Sequence, residues 1–200
     1  MVRLVSGRTA LAAALLLFAL GASGAGSPGA SGARAAGSLP APVFPDITVR
    51  TQTGQKVRFS ELLKGRTVAI NFIFTSCPSV CPLMGVAFGR LQTLLGDTRP
   101  DVALISISID PETDTPARLT AWGKRFNARP GWILVTGAKS DIDALLKASG
   151  VYSSDAGAHS PVALIGDPAR GVWRRVDGLA PPATMLAVID DITPAKVANR

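Results

Sequence analysis

Beyond Asp46 the apolar positions fall into short blocks whose spacing switches between strand and helix periods. Ile47–Arg50 and Lys56–Phe59 flank the polar stretch Thr51–Gln55, which holds Gly54, and predict a hairpin. Val68–Phe74 and Val102–Ile109 are nearly unbroken apolar runs, the pattern of strands buried on both faces. Between them Met84, Ala87, Phe88, Leu91 and Leu94 recur at helical spacing, and Gly96 marks a C-terminal stop. Thr115-Pro116 predicts a second helix, with threonine as N-cap and proline at the first helical position. Trp132–Val135 reads as a short strand. Ser140, with Asp143 three residues on, predicts the start of a third helix that Gly150 ends. Val162–Ile165 and Val172–Val176 flank Asp167–Gly171 as a second hairpin, and Met185, Leu186, Val188, Ile189 and Ile192 form the face of a closing helix. Strands alternating with helices predict an α/β fold: a central mixed sheet flanked by helices, with an N-terminal β-hairpin.

The first 45 residues follow another pattern. Arg3 and Arg8 precede the apolar run Ala10–Leu20, and small residues follow at Gly21–Ala25 and Ala33-Arg34-Ala35. A basic start, a short apolar core and small residues describe a secretory signal peptide. The absence of charge from Thr9 to Ala33 also suits an uncleaved anchor. Residues 1–35 are therefore expected to be a signal peptide or N-terminal anchor, 36–45 a Gly/Ala/Ser/Pro-rich linker, and 46–200 the folded domain. The chain is expected outside the cytoplasm, in a periplasm or on the outer face of the cytoplasmic membrane, N-terminally anchored or free. No cysteine follows the apolar run to carry a lipid.

Composition narrows the function classes. The 200 residues carry a formal charge of +7, but three arginines (Arg3, Arg8, Arg34) lie in the leader region, and without them it falls to +4. The remaining cations are scattered, so no nucleic-acid partner is expected. Two cysteines and one histidine exclude a four-cysteine zinc module and any site built on several histidines.

Both cysteines sit in Phe74-Thr-Ser-Cys77-Pro-Ser-Val-Cys81-Pro82, where the first central strand gives way to a helix. Ligands in open α/β sheets bind at that edge, and helix N-termini favour thiolate. Four-residue spacing puts the two sulfurs on one side, within reach of a disulfide or a shared metal ion. A loop this short gains only about 2 kcal/mol from cross-linking, which weighs against a purely structural bridge. A redox dithiol and a pair of metal ligands both remain open. His159 precedes the strand Val162–Ile165. If that strand runs antiparallel to Val68–Phe74, the imidazole arrives at the same edge, and two thiolates with one imidazole form a soft set suited to copper. Asp110, at the end of the second central strand, either caps the turn Asp110–Asp114 or orients the imidazole and tunes the thiols.

The motifs Phe74–Pro82 and Ser106-Ile-Ser-Ile-Asp-Pro-Glu-Thr-Asp-Thr-Pro116, the strand Trp132–Gly137 and His159 ahead of Asp167-Pro168 together resemble the Sco/SenC family. The resemblance spans about Pro45 to the C-terminus. It implies a thioredoxin-like fold and one copper ion per chain, held by Cys77, Cys81 and His159, with Asp110 beside the site. It further implies an assembly factor rather than an enzyme, delivering copper to the dinuclear centre in the copper-site subunit of cytochrome c oxidase. Other copper chaperones and a thiol reductant are expected as further partners. The alternative is a thiol–disulfide oxidoreductase that keeps the oxidase cysteines reduced, with Cys77 attacking and Cys81 resolving. Ser76 and Ser79 depart from the family pattern at positions that are not ligands. Pro161 stands near the place where thioredoxins keep a cis-proline, so a cis Ser160–Pro161 bond is expected to hold the His159 loop.

Overall fold

The computed structural model describes residues 37–155 and 159–193. The elements run β1 (Gly37–Leu39), β2 (Thr48–Thr51), β3 (Lys56–Arg58), α1 (Phe59–Leu63), β4 (Thr67–Ile73), α2 (Val80–Leu95), β5 (Val102–Ser108), α3 (Pro116–Arg125), β6 (Trp132–Thr136), α4 (Lys139–Ala148), β7 (Val162–Asp167), β8 (Val172–Asp177) and α5 (Pro182–Ile192). The strands form one eight-stranded mixed sheet in the order β1-β8-β7-β4-β5-β6-β2-β3. β4, β5 and β6 are parallel, as crossovers through α2 and α3 require. β7 joins β4 antiparallel, with Asn71 opposite Ala163, so the sheet is mixed as expected.

Alternation along the strands explains the three layers. Ala69 and Ile73 of β4, Leu104 of β5 and Leu134 of β6 face Phe88 and Leu91 of α2, Trp122 of α3 and Ile189 of α5. Val68, Ile70 and Phe72, with Ile105 and Ile107, face the other way, towards Phe59 of α1 and Ile142 and Leu145 of α4. Every residue of β4 and β5 is buried, which accounts for their unbroken apolar runs. The exception to their chemistry is Asn71, whose buried amide has no hydrogen-bond partner among the described residues.

Three local expectations change. Gly37–Leu39, read as linker, forms β1 against β8, because the edge of β8 offers unpaired backbone groups. Ser140 does not cap α4: the helix starts one residue earlier behind Ala138, and Lys139 pairs with Asp143 at 2.7 Å. Phe59, read as the end of a strand, opens α1 instead. The leader assigned to residues 1–35 lies outside the described residues, among which no helix is long and apolar enough to cross a membrane.

Two glycines let α2 sit tight. A Cβ on Gly85 would lie 2.6 Å from the Phe126 ring, and one on Gly89 would lie 2.6 Å from the Phe126 carbonyl oxygen. Only glycine permits that approach of α2 to the end of α3.

Candidate functional site

β4 ends at Ile73, and Phe74–Ser79 carries the chain from the sheet into α2. The Cys77 amide donates to the Phe74 carbonyl at 3.2 Å and closes a tight turn. Ser79 occupies the N-cap of α2, yet its hydroxyl makes no capping bond. The Cys77 sulfur does that work, accepting from the backbone amides of Cys81 and Ser79. Cys81 lies inside the first helical turn, so it follows the cap rather than forming it. Both side chains are buried, Cys77 at 8% exposure and Cys81 at 1%, and both thiols are free.

The two sulfurs differ in proton affinity. Burial opposes ionisation of Cys77, but the Cys81 and Ser79 amides and side-chain hydrogen bonds from the same two residues outweigh it. The thiol is thus held below its ordinary value. Burial pushes Cys81 up to about 12. The Phe74 amide works against that shift, while the Cys77 sulfur and the Asp114 charge reinforce it. Of the two, Cys77 is therefore the first to lose its proton and Cys81 the last.

Asp114 secures the loop that carries this pair. It is fully buried and accepts the Thr75 amide at 3.1 Å on both oxygens, the Thr75 hydroxyl at 2.5 Å and the Ser108 hydroxyl at 2.7 Å. Arg118 approaches it at 4.0 Å and donates from Nε to the Thr75 hydroxyl at 3.0 Å. In the sequence Asp114 stands out only as the end of the turn Asp110–Asp114. The acidic residue nearest the metal-site reading was Asp110, and its hydrogen bonds lie in the turn. Its amide donates to Ser108 Oγ at 3.1 Å, its carboxylate accepts the Thr113 amide at 3.3 Å and its carbonyl accepts the Asp114 amide at 2.8 Å. A short polar spacing, Asp110 to Asp114, was the available signal. It did not say which carboxylate turns inward.

His159 stands three residues ahead of β7. Continuing the register of β7 on β4, in which Asn71 faces Ala163, sets His159 opposite Thr75, two residues before Cys77. The strand does run antiparallel and brings the histidine to the cysteine edge. The ring is half-buried and packs against Phe72 with centroids 6.0 Å apart. Phe72 faces the α1/α4 side of the sheet, whereas the cysteines pack on the α2 side. Among the described residues no three His, Cys, Asp or Glu side chains gather closely enough to hold a metal ion. The structure thus joins Cys77 to Cys81 and leaves His159 at the same edge but against an aromatic ring. Its Nε2 is buried and has no hydrogen-bond partner among the described residues. Burial, helped by the Arg175 charge, holds the imidazole below its ordinary value, so the ring is neutral at pH 7.

The family model described as SCO1/SenC matches residues 38–193. The chain belongs to the SCO1/SenC family. Among curated relatives, the SCO1 protein homolog of Bacillus subtilis is 36% identical over 98 residues, covering 48% of this chain and 50% of the relative. A putative copper-binding protein of Stutzerimonas stutzeri is 36% identical over 96 residues, covering 46% of this chain and 45% of the relative. The chain thus aligns with about half the length of these relatives. Among solved structures, one reporting a disulfide switch in BsSco, a member of the Sco family of cytochrome c oxidase assembly proteins, matches with a TM-score of 0.67 and 27% identity. It covers 78% of this chain and 95% of that one. Bradyrhizobium japonicum ScoI with copper bound matches with a TM-score of 0.63 and 24% identity, covering 74% of this chain and 98% of that one, and supports the thioredoxin-like fold. SCO1/SenC membership was the expectation drawn from the motifs, and it holds.

Proposed function

We propose that this SCO1/SenC protein is an extracytoplasmic copper carrier that hands one copper ion to the copper-site subunit of cytochrome c oxidase during assembly. The observation that carries the reading is the donor set. Two reduced sulfurs stand together at a helix N-terminus, and a neutral imidazole with an unengaged Nε2 stands at the same strand edge. Thiolate and imidazole are soft donors of the kind copper prefers, and the imidazole Nε2 has no hydrogen bond to give up among the described residues. The Cys81 and Ser79 amides already stabilise negative charge on Cys77. Metal binding displaces the thiol protons, that of Cys81 being the harder to remove, because only the thiolate ligates. His159 leaves Phe72 to complete the set. A site of three protein donors is easier to empty than a closed four-ligand site, which suits cargo that must be released to thiolates of an acceptor. The relatives named for copper binding and oxidase assembly support the cargo and the acceptor.

The experiment is a transfer assay. The copper-loaded, reduced chain is mixed with the metal-free soluble domain of an oxidase copper-site subunit, and copper is followed by its absorption in the acceptor. Transfer is expected from the native chain and not from Cys77→Ser. Transfer by the serine variant at the native rate contradicts the reading.

The unequal proton affinities of the two sulfurs favour thiol–disulfide exchange as a second reading. The Cys77 thiolate attacks a target disulfide and forms a mixed disulfide, and the displaced target sulfur takes a proton. Cys81 then gives up its proton and attacks the Cys77 sulfur, releasing the second target thiol. The target gains two electrons and the Cys77–Cys81 pair loses them. His159 takes no part, so His159→Ala separates the two readings.

A further inference from the structure

The outer face of α2 is not used by the cysteine pair. Leu83, Val86 and Leu94 are each more than half exposed and, with Arg90, fall within about 80° of one another around the helix. Beside this stripe an open cleft of ≈ 460 Å³ separates α2 from the end of α3, lined by Val86, Arg90, Arg125, Phe126 and Arg129 among others.

The charge of this region is one-sided. The segments Val80–Leu95 and Pro116–Gly131 carry Arg90, Arg118, Lys124, Arg125 and Arg129 and no Asp or Glu. Residues 37–193 hold sixteen Lys and Arg against fourteen Asp and Glu, so the remainder of the domain is net negative. Among the described residues Arg90, Arg125 and Arg129 form no ion pair. Arg125 lies over the Phe126 ring at 5.6 Å, and Arg129 donates to the Gln92 carbonyl at 3.3 Å. Their remaining guanidinium donors face the cleft or solvent without an anion. Forked guanidinium donors match carboxylates in paired hydrogen bonds, and gathering three of them raises the free protein's energy until an anion arrives.

We propose that this face docks an acidic segment of a partner protein, with carboxylates in the arginine cleft and apolar side chains along Leu83 and Val86. A small anion would satisfy the guanidiniums but leave the apolar stripe uncovered, and a flat lipid surface does not enter a cleft. Leu83 lies two residues beyond Cys81 on the opposite face of the first turn of α2, so the stripe begins at the helix end that carries the cysteine pair. The partner's role in copper or thiol exchange rests on the function proposed above, while the docking surface stands without it.

The test uses the full chain carrying Cys77→Ser and Cys81→Ser, so that neither metal nor thiol contributes. Its probe is a synthetic peptide of alternating glutamate and leucine, followed by fluorescence anisotropy at low salt. Arg90→Gln with Arg125→Gln is expected to weaken binding at least tenfold and to flatten its salt dependence. Leu83→Ser with Val86→Ser is expected to weaken it at least threefold. Lys56→Gln with Lys147→Gln, away from the cleft, is expected to leave it unchanged. Equal binding by the arginine variant overturns the proposal. So does binding of phosphatidylglycerol vesicles or inorganic phosphate where the peptide does not bind. If copper binding fails and peptide binding follows this pattern, the docking face survives and the cargo reading falls.

Discussion

Asp114 holds Thr75 by its amide and its hydroxyl at once, at 3.1 and 2.5 Å, from the opposite side of a β-α crossover. That tie fixes the loop leading to Cys77. Asp114→Ala leaves the Thr75 amide and the Ser108 hydroxyl without their acceptor. It is expected to cost about 2–4 kcal/mol in urea unfolding, with Asp114→Asn recovering at least half. The alanine variant should also bind copper more weakly. A variant as stable as the native chain contradicts this role.

Arg99 provides the contrast. It is buried at the opposite end of the strands, where its guanidinium pairs with Asp101 at 3.1 Å and with Asp190, and donates to the Thr193 carbonyl at 2.8 Å. Those carboxylates are partly exposed, which limits the charge left unpaired on truncation. Arg99→Ala is expected to cost about 1–3 kcal/mol in the same assay while leaving copper affinity unchanged. A loss of copper binding without a loss of stability would show that the two ends of the sheet communicate.

The cysteines should react in order. Cys77 has the greater exposure and its sulfur faces helix amides, whereas Cys81 is almost sealed and keeps the proton. Sub-stoichiometric iodoacetamide on the reduced, metal-free chain is expected to label Cys77 predominantly, as read by peptide mass spectrometry. Preferential labelling of Cys81 would reverse the roles assigned to them.

Gly89 tests the packing of α2. An added methyl meets the Phe126 carbonyl, a backbone atom that cannot swing aside. Gly89→Ala is expected to destabilise by about 1–3 kcal/mol, although alanine is intrinsically favoured over glycine in a helix by about 1 kcal/mol. At Gly85 the obstacle is the Phe126 ring, so Gly85→Ala with Phe126→Leu should recover part of the loss of Gly85→Ala alone. A stabilised Gly89→Ala variant would refute the close approach.

Much of this architecture was legible in the chain because burial writes itself into pattern. The runs that became β4 and β5 are apolar at nearly every position because helices cover both faces, and the pairing of β7 with β8 followed from a hairpin signal, whereas the antiparallel pairing of β7 with β4 entered only as a condition. Short elements were not legible. β1 depends on a distant edge of β8, and α1 is one turn whose leading Phe59 fits a strand equally well. At the site, spacing located Cys77 and Cys81 because both lie within one turn and the start of one helix. It left the acids open, since whether Asp110 or Asp114 points inward depends on the turn between them. It also brought His159 to the right edge without revealing that its ring rests on Phe72, a contact across strands that periodicity does not encode.

The most direct test is an anaerobic copper(I) titration of the reduced full chain against a competing chelator, beside His159→Ala. The account predicts one ion per native chain, at least tenfold weaker binding in the variant, and loss of the tight site in Cys77→Ser. Tight binding of one ion that is indifferent to His159 would contradict the three-donor site, and weak binding by the native chain would contradict the carrier itself.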